Sequence, residues 1–335
     1  MVISEVSVEN YISPGNGVRR ICTHRGYLIT ANLTNGLQAF RSLNGNLELI
    51  AEYTAAGESC RSVGSDGEFL YAGYIGGSAI GIRAFTFDGS NFVPITNQND
   101  LGNYDTIFCK NGYIYVAAGA TGLHVYSFNG AAFTLHATQA PPTTFYDVWV
   151  DGSRNCFLAA RFDGLYVYNF TGAALNFVDS DDQGGEYTSV FGNGGYVYAT
   201  STARGVHAYQ LVGATLNFIV TQSLSTSNLA YAVTAEDGDI IAITRDSGGL
   251  GKPGITILAF DGNSFSVEGT YISDKPTGTA PSDVLIDANK FYVAMQDYGF
   301  VSYLVIPEFG GGVSANRSSG PKGLRVQLNT NAFTY

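Results

Sequence analysis

Apolar and polar side chains alternate along most of this chain in short runs, each closed by glycine, asparagine or aspartate. One run recurs seven times, a small or flexible residue followed by alternating side chains that end in an aromatic: Gly36–Phe40 (GLQAF), Gly81–Phe85 (GIRAF), Gly122–Tyr126 (GLHVY), Gly164–Tyr168 (GLYVY), Gly205–Tyr209 (GVHAY), Thr256–Phe260 (TILAF) and Gly299–Tyr303 (GFVSY). The aromatics lie 45, 41, 42, 41, 51 and 43 residues apart, the length of one four-stranded propeller blade. Before most of these phrases stands a second β-branched and aromatic run, such as Gly26–Ala31, Gly112–Ala117 or Gly195–Thr200. After six come Asn44-Gly45, Asp88-Gly89, Asn129-Gly130, Thr171-Gly172, Val212-Gly213 and Asp261-Gly262, which read as two-residue hairpin turns leading to an outer strand.

The grammar predicts an all-β, seven-bladed β-propeller with four strands per blade over residues 1–306. The seventh unit runs into Leu304-Val-Ile-Pro307 without a turn or outer strand, and Met1–Ile12 holds a strand that no other unit claims. This N-terminal strand is therefore expected to complete the last blade and close the ring, hiding sheet edges. Residues 307–335 form a second region, a Gly/Ser-rich C-terminal arm.

Composition agrees with a turn-rich β protein: 45% hydrophobic, 13% charged, with 42 Gly, 22 Tyr and 21 Phe. No apolar run approaches the ~18 residues of a membrane span, and no basic segment followed by an apolar core marks a signal peptide, so the compartment stays open. A net charge of −11 argues against nucleic acid as partner. Cys22, Cys60, Cys109 and Cys156 lie in strands without CxxC spacing and read as buried reduced thiols.

Candidate chemistry gathers where inner strands begin. Tyr104-Asp105, Tyr146-Asp147, Tyr187-Thr188, Tyr231-Ala232, Ser282-Asp283 and Cys60-Arg61 would line the channel mouth if they share a register. Arg61, Asp105, Asp147 and Asp283 are then catalytic candidates, because paired carboxylates in a narrow channel can act as acid and base or hold a cation. The competing reading is architectural: each Asp accepts backbone N–H bonds from a neighbouring segment and each Tyr packs between blades. Asp179, Asp181, Asp182 and Glu186 are metal candidates by composition, but their spacing does not reproduce a calcium loop. Asp246–Gly254 lacks the glycine, Ser/Thr and helix of a phosphate loop. His124 and His207 share one position of the repeated phrase and read as surface positions, and no cofactor is expected.

The arm has no acidic residue from Phe309 to Tyr335 but carries Arg317, Lys322 and Arg325. Leu324, Val326 and Leu328 alternate with polar residues, and Phe333 and Tyr335 follow; these eight residues are the expected partner-binding set, suited to strand addition on a neighbouring subunit or to folding back on their own ring. The blade grammar resembles the lactonase-like and LVIVD-type repeat propellers over essentially residues 1–306. That resemblance implies the fold and admits lactone hydrolysis at the channel mouth, although no catalytic residue of that family matches a position here. The leading expectation is a non-enzymatic interaction scaffold within a larger assembly such as a virus or phage particle. The alternatives are a lactonase-like hydrolase and a carbohydrate-binding propeller that stacks sugars, as a glycan partner, on Tyr104, Tyr146 and Tyr187.

Overall fold

The computed structural model describes residues 17–304, apart from short stretches at 44–45, 77–79, 100–101, 141–143, 225–227, 237–238, 247–252, 273–280, 288–289 and 296–298. The N-terminal strand expected at Met1–Ile12, most of the blade-6 insertion and the arm with its eight partner-binding residues lie outside the described residues.

The described chain forms seven antiparallel sheets with strands in chain order, six of four strands and a last one of three, Pro281–Asp287, Lys290–Met295 and Gly299–Leu304. The inner strands of the other blades are Arg20–His24, Ser59–Ser65, Thr106–Lys110, Asp147–Val150, Tyr187–Asn193 and Asn228–Glu236. This is a seven-bladed β-propeller. Blade 7 meets blade 1 directly: the Ile21 N–H donates to Asp283 Oδ2 at 2.9 Å, and the Ser282 hydroxyl donates to the Val18 carbonyl at 2.7 Å.

The repeated phrase explains how blades stack. In blade 1, Leu37 and Ala39 face blade 2, where they meet Tyr74 and Phe85; the alternate residue Phe40 faces blade 7 and packs with Tyr292 and Ala294. The same division puts Leu165 and Val167 of blade 4 against Tyr209 of blade 5. Small side chains on one face receive rings from the next blade, and each ring fully removed from water contributes about 2–3 kcal/mol. The glycine that opens the phrase is required by geometry. Gly164 has φ +90°, and a Cβ there would overlap the Asp181 carbonyl of the outer strand.

Four features depart from the sequence reading. The turns after the phrase span four residues in blades 2, 3, 4 and 6, where Phe87 pairs with Phe92, Phe128 with Phe133, Phe170 with Leu175 and Phe260 with Phe265. They are closed by the side chain at their first position; Asp88 Oδ1, for example, accepts from the N–H groups of Ser90 and Asn91 at 2.8 and 2.7 Å. In blades 1 and 5 the ladder leaves two residues between its last pair, Leu43 with Asn46 and Val212 with Thr215.

Second, a β-bulge interrupts the ladder just before the phrase's last residue in each of blades 1–6, between Ala39/Phe40, Ala84/Phe85, Val125/Tyr126, Val167/Tyr168, Ala208/Tyr209 and Ile257/Leu258. The extra outer-strand residue, such as Val178 or Ile219, turns into the neighbouring interface.

Third, the same bulge places blade 6's phrase at Gly254–Leu258 rather than Thr256–Phe260, with Leu258 in the aromatic's place. A shift of two residues keeps every side chain on its face, so alternation alone cannot distinguish the two.

Fourth, the phrase's polar position is buried: Gln38, Arg83, His124 and His207 are all covered. The Tyr187 ring lies stacked over His207 at 5.3 Å, and Tyr104 meets His124 edge-on at 6.4 Å. Burial holds the His207 imidazole down to about 4, so it is neutral.

Candidate functional site

The inner strands carry the candidate residues, and their hydrogen-bond ladders fix the register that the dipeptides left open. The N–H groups of Arg19, Asp105 and Tyr146 donate to the carbonyls of Ala31, Ala117 and Ala159 at 2.8, 2.8 and 2.9 Å, so these three occupy one level. The next level holds Arg20, Thr106 and Asp147, paired with the same three alanines, together with Ser62, Ser189 and Asp283. Asp105 therefore sits one level above Asp147 and Asp283. The two Tyr-Asp pairs are out of step by one residue: Asp105 stands level with Tyr146, and Thr106 with Asp147.

The tyrosines divide accordingly. Tyr104 and Tyr187 are fully buried at a third level, alongside Phe145, while Tyr146 and Tyr231 line the mouth. Neither Tyr104 nor Tyr187 can present a face to a sugar.

At the centre stands Arg20, which sequence reading missed. Its guanidinium lies 3.5 Å from Asp283 and 3.8 Å from Asp147, all three side chains being at most 16% exposed. It also donates from Nε to the Asp105 carbonyl at 3.0 Å and from Nη2 to the Tyr146 carbonyl at 3.2 Å. Burial alone would lower the Arg20 pKa, but Asp147, Asp283 and Asp105 together raise it above the usual value. Arg61 holds Asp105 at 2.6 Å. Burial pushes the Asp105 carboxyl up against the pull of Arg61, Arg20 and Arg19. Asp283 is pushed up to about 6, chiefly by burial, with Arg20 and two backbone N–H groups opposing and Asp147 adding to the rise. A signal for Arg20 existed: Arg20-Ile21 stands where blades 4 and 7 have Asp147-Val148 and Asp283-Val284.

Asp147 and Asp283 also tie blades together. Asp147 Oδ2 accepts from Val190 N–H and Asp283 Oδ2 from Ile21 N–H, both at 2.9 Å, while each Oδ1 takes the N–H of the following residue at 3.0 Å. Ser189 accepts from Val233 N–H in the same way at 3.4 Å.

Arg20 with its two carboxylates partitions the channel. On the crossing-loop side is a cup of about 280 Å³ lined by Arg19, Arg61, Asp105, Tyr146, Glu186 and Tyr231. On the other side is a chamber of about 440 Å³ whose lining includes Ile21, Val63, Ile107, Phe108, Phe191 and Leu285, with Cys22 and Cys109 on the same strands. All four cysteines are free, and burial pushes the Cys60 thiol up to about 12.

Beside the cup, Arg161 pairs with Glu186 at 3.1 Å and lies over the rings of Phe162 and Tyr146 at 4.7 and 5.8 Å. Phe162 is 57% exposed. The acidic set of blades 4 and 5 does not converge. Asp179 accepts from Leu216 N–H, Asp181 from the Gln183 amide and Asp182 from Gly184 N–H, each at 2.8 Å, while Glu186 belongs to Arg161.

No protein-family model matches the sequence, and no curated protein is significantly similar to it. Solved structures are similar. The WD40 β-propeller domain of Doa1 superposes with a TM-score of 0.69 at 11% identity, over 92% of this chain and 98% of that one. YCF48 from Cyanidioschyzon merolae gives 0.64 at 11%, over 91% and 98%, and YCF48 bound to D1 peptide gives 0.66 at 10%, over 88% and 94%. At such identities the likeness speaks for the β-propeller fold alone.

Proposed function

We propose that this propeller is a non-enzymatic interaction scaffold that receives a protein segment across its channel mouth. The observation that carries this reading is the ledge beside the cup, where an arginine is stacked between a solvent-exposed Phe162 and Tyr146. Arginine and aromatic side chains next to a shaped polar recess are the usual anchors of protein recognition. YCF48, a similar structure, was solved bound to D1 peptide, which supports a peptide as the kind of partner. The lactonase-like alternative needs a carboxylate free to exchange protons with substrate. Against it, Asp105 is held by Arg61 and the other two channel carboxylates each accept two backbone N–H groups. The arm at 307–335 serves in this reading as a tether to a neighbouring subunit, and an assembly state unchanged by deleting 309–335 would remove that part.

The test is to select peptides from a displayed library against the intact protein and titrate them by fluorescence anisotropy. Phe162→Ala and Tyr231→Ala should each weaken binding about tenfold or more, and Val267→Ala on the outer rim should not. Equal affinity for all variants refutes the mouth as the site, and lactone turnover abolished by Asp283→Asn would replace the scaffold with a hydrolase.

A further inference from the structure

The cup at the channel mouth is lined by Arg19, Arg20 and Arg61 against Asp105 and Glu186, an excess of cations on a protein of net charge −11. Glu186 is paired at 3.1 Å with Arg161, which stands beside the cup and outside its lining. Asp147 and Asp283 oppose Arg20 from the chamber side, and neither lines the cup. With Arg20 set against that pair and Arg161 against Glu186, Arg19 and Arg61 face Asp105 alone. Arg61 spends little of itself there. Its single hydrogen bond among the described residues runs from Nη2 to Asp105 Oδ1 at 2.6 Å. A guanidinium carries five N–H donors, so Nε and Nη1 remain unspent on a side chain that lines the cup and is 23% exposed. Arg20 differs, being committed to two carbonyls and two carboxylates. The cup is also a dead end, because Arg20 and its two carboxylates separate it from the chamber. A segment that enters must turn back within about 280 Å³ or end there.

We propose that the cup receives the C-terminal carboxylate of a partner segment, which accepts the unspent Arg61 donors while the residues before it lie over Phe162 and Tyr146 on the ledge. Resting on the mouth as the place where a protein segment docks, this names the part of the segment that enters. A chain end brings negative charge and acceptor oxygens to donors that nothing else among the described residues takes, and hydrogen bonds between charged partners are the stronger kind. It also needs no way out of a closed recess. An amidated end keeps the shape and loses the charge, so it is the natural control.

Peptides selected from a library displayed with free C-termini, each synthesised as the acid and as the C-terminal amide, are titrated against the full chain by fluorescence anisotropy. The amide should bind at least tenfold more weakly than the acid. Arg61→Gln should weaken the acid at least tenfold, leave the amide unchanged and so erase the gap. The acid and amide comparison on the unaltered protein needs no variant, and it decides the matter if Arg61→Gln does not fold. Equal affinity of acid and amide, with Phe162→Ala still weakening both, overturns the carboxylate site and leaves the mouth as the docking place. An equal loss for acid and amide in Arg61→Gln overturns it as well. Binding that Phe162→Ala and Tyr231→Ala leave unchanged, or a library that yields no binder, overturns the docking place and the carboxylate site together.

Discussion

Replacing Arg20 by Met removes the one cation that the two deep channel carboxylates share while keeping an unbranched side chain to fill much of the space. Arg20, Asp147 and Asp283 are 13%, 8% and 16% exposed, so solvent can replace little of what is lost. Removing one partner of a buried charge network costs about 3–5 kcal/mol. Within that sum, the two hydrogen bonds to the Asp105 and Tyr146 carbonyls account for about 1–3 kcal/mol, and this part does not depend on pH.

The remainder does depend on pH. In the native protein Asp283 is raised from its ordinary 3.8 to about 6, which corresponds to about 3 kcal/mol. A carboxyl raised by folding contributes stability that is present below pH 3.8 and is lost as pH rises through about 6. Without Arg20 the carboxyl rises further, so the penalty of Arg20→Met should be largest near pH 7.5 and shrink toward the hydrogen-bond part near pH 4.5. His207 has the opposite slope, losing stability as pH falls from 6.5 toward 4, but it is common to both proteins and cancels in the difference. Urea unfolding followed by the fluorescence of Trp149, the single tryptophan, at pH 4.5, 6 and 7.5 measures it. A difference below about 1 kcal/mol at pH 7.5, or one that is constant across pH, would show that Arg20 is not the charge that stabilises the channel.

Other consequences can be checked separately. Gly164→Ala forces a Cβ into the Asp181 carbonyl at φ +90° and should cost about 1–3 kcal/mol, whereas Gly152→Ala, with open space around it, should stay within about 0.5 kcal/mol. Gly192→Ala would drive a methyl into the Trp149 ring; a loss of about 1–3 kcal/mol with a shifted emission maximum is expected, and unchanged emission would mean the ring lies elsewhere. Tyr187→Phe removes the hydroxyl that bonds Tyr209 and Gln183 N–H at 2.8 and 3.0 Å, for about 1–2 kcal/mol in a denaturation series. The His207 imidazole should remain neutral in nitrogen-detected NMR down to pH 5, and a midpoint near 6.5 would contradict its burial.

The blade count and the strand order were legible in the residues. A period near 42 residues and strict alternation are local properties, and nothing but a ring of like sheets buries all of those faces at once. The need for glycine at Gly164 was visible as repetition, although its cause, a carbonyl from the outer strand, was not. Relations between blades were hidden. That Asp105 shares a level with Tyr146 rather than Asp147 depends on how each inner strand pairs with its second strand, and a register differing by one residue leaves no mark in composition. The burial of His124 and His207 follows from rings in the segments leading into their inner strands, which no spacing within the phrase reports. The channel is where this matters most. Residues 20, 147 and 283 are more than a hundred positions apart from one another, and only closure of the ring brings one guanidinium between two carboxylates and divides the channel in two. Sequence determined the repeated unit because it is held by short-range periodicity; the tertiary structure alone decided the centre, because charge interactions there depend on distances across the ring.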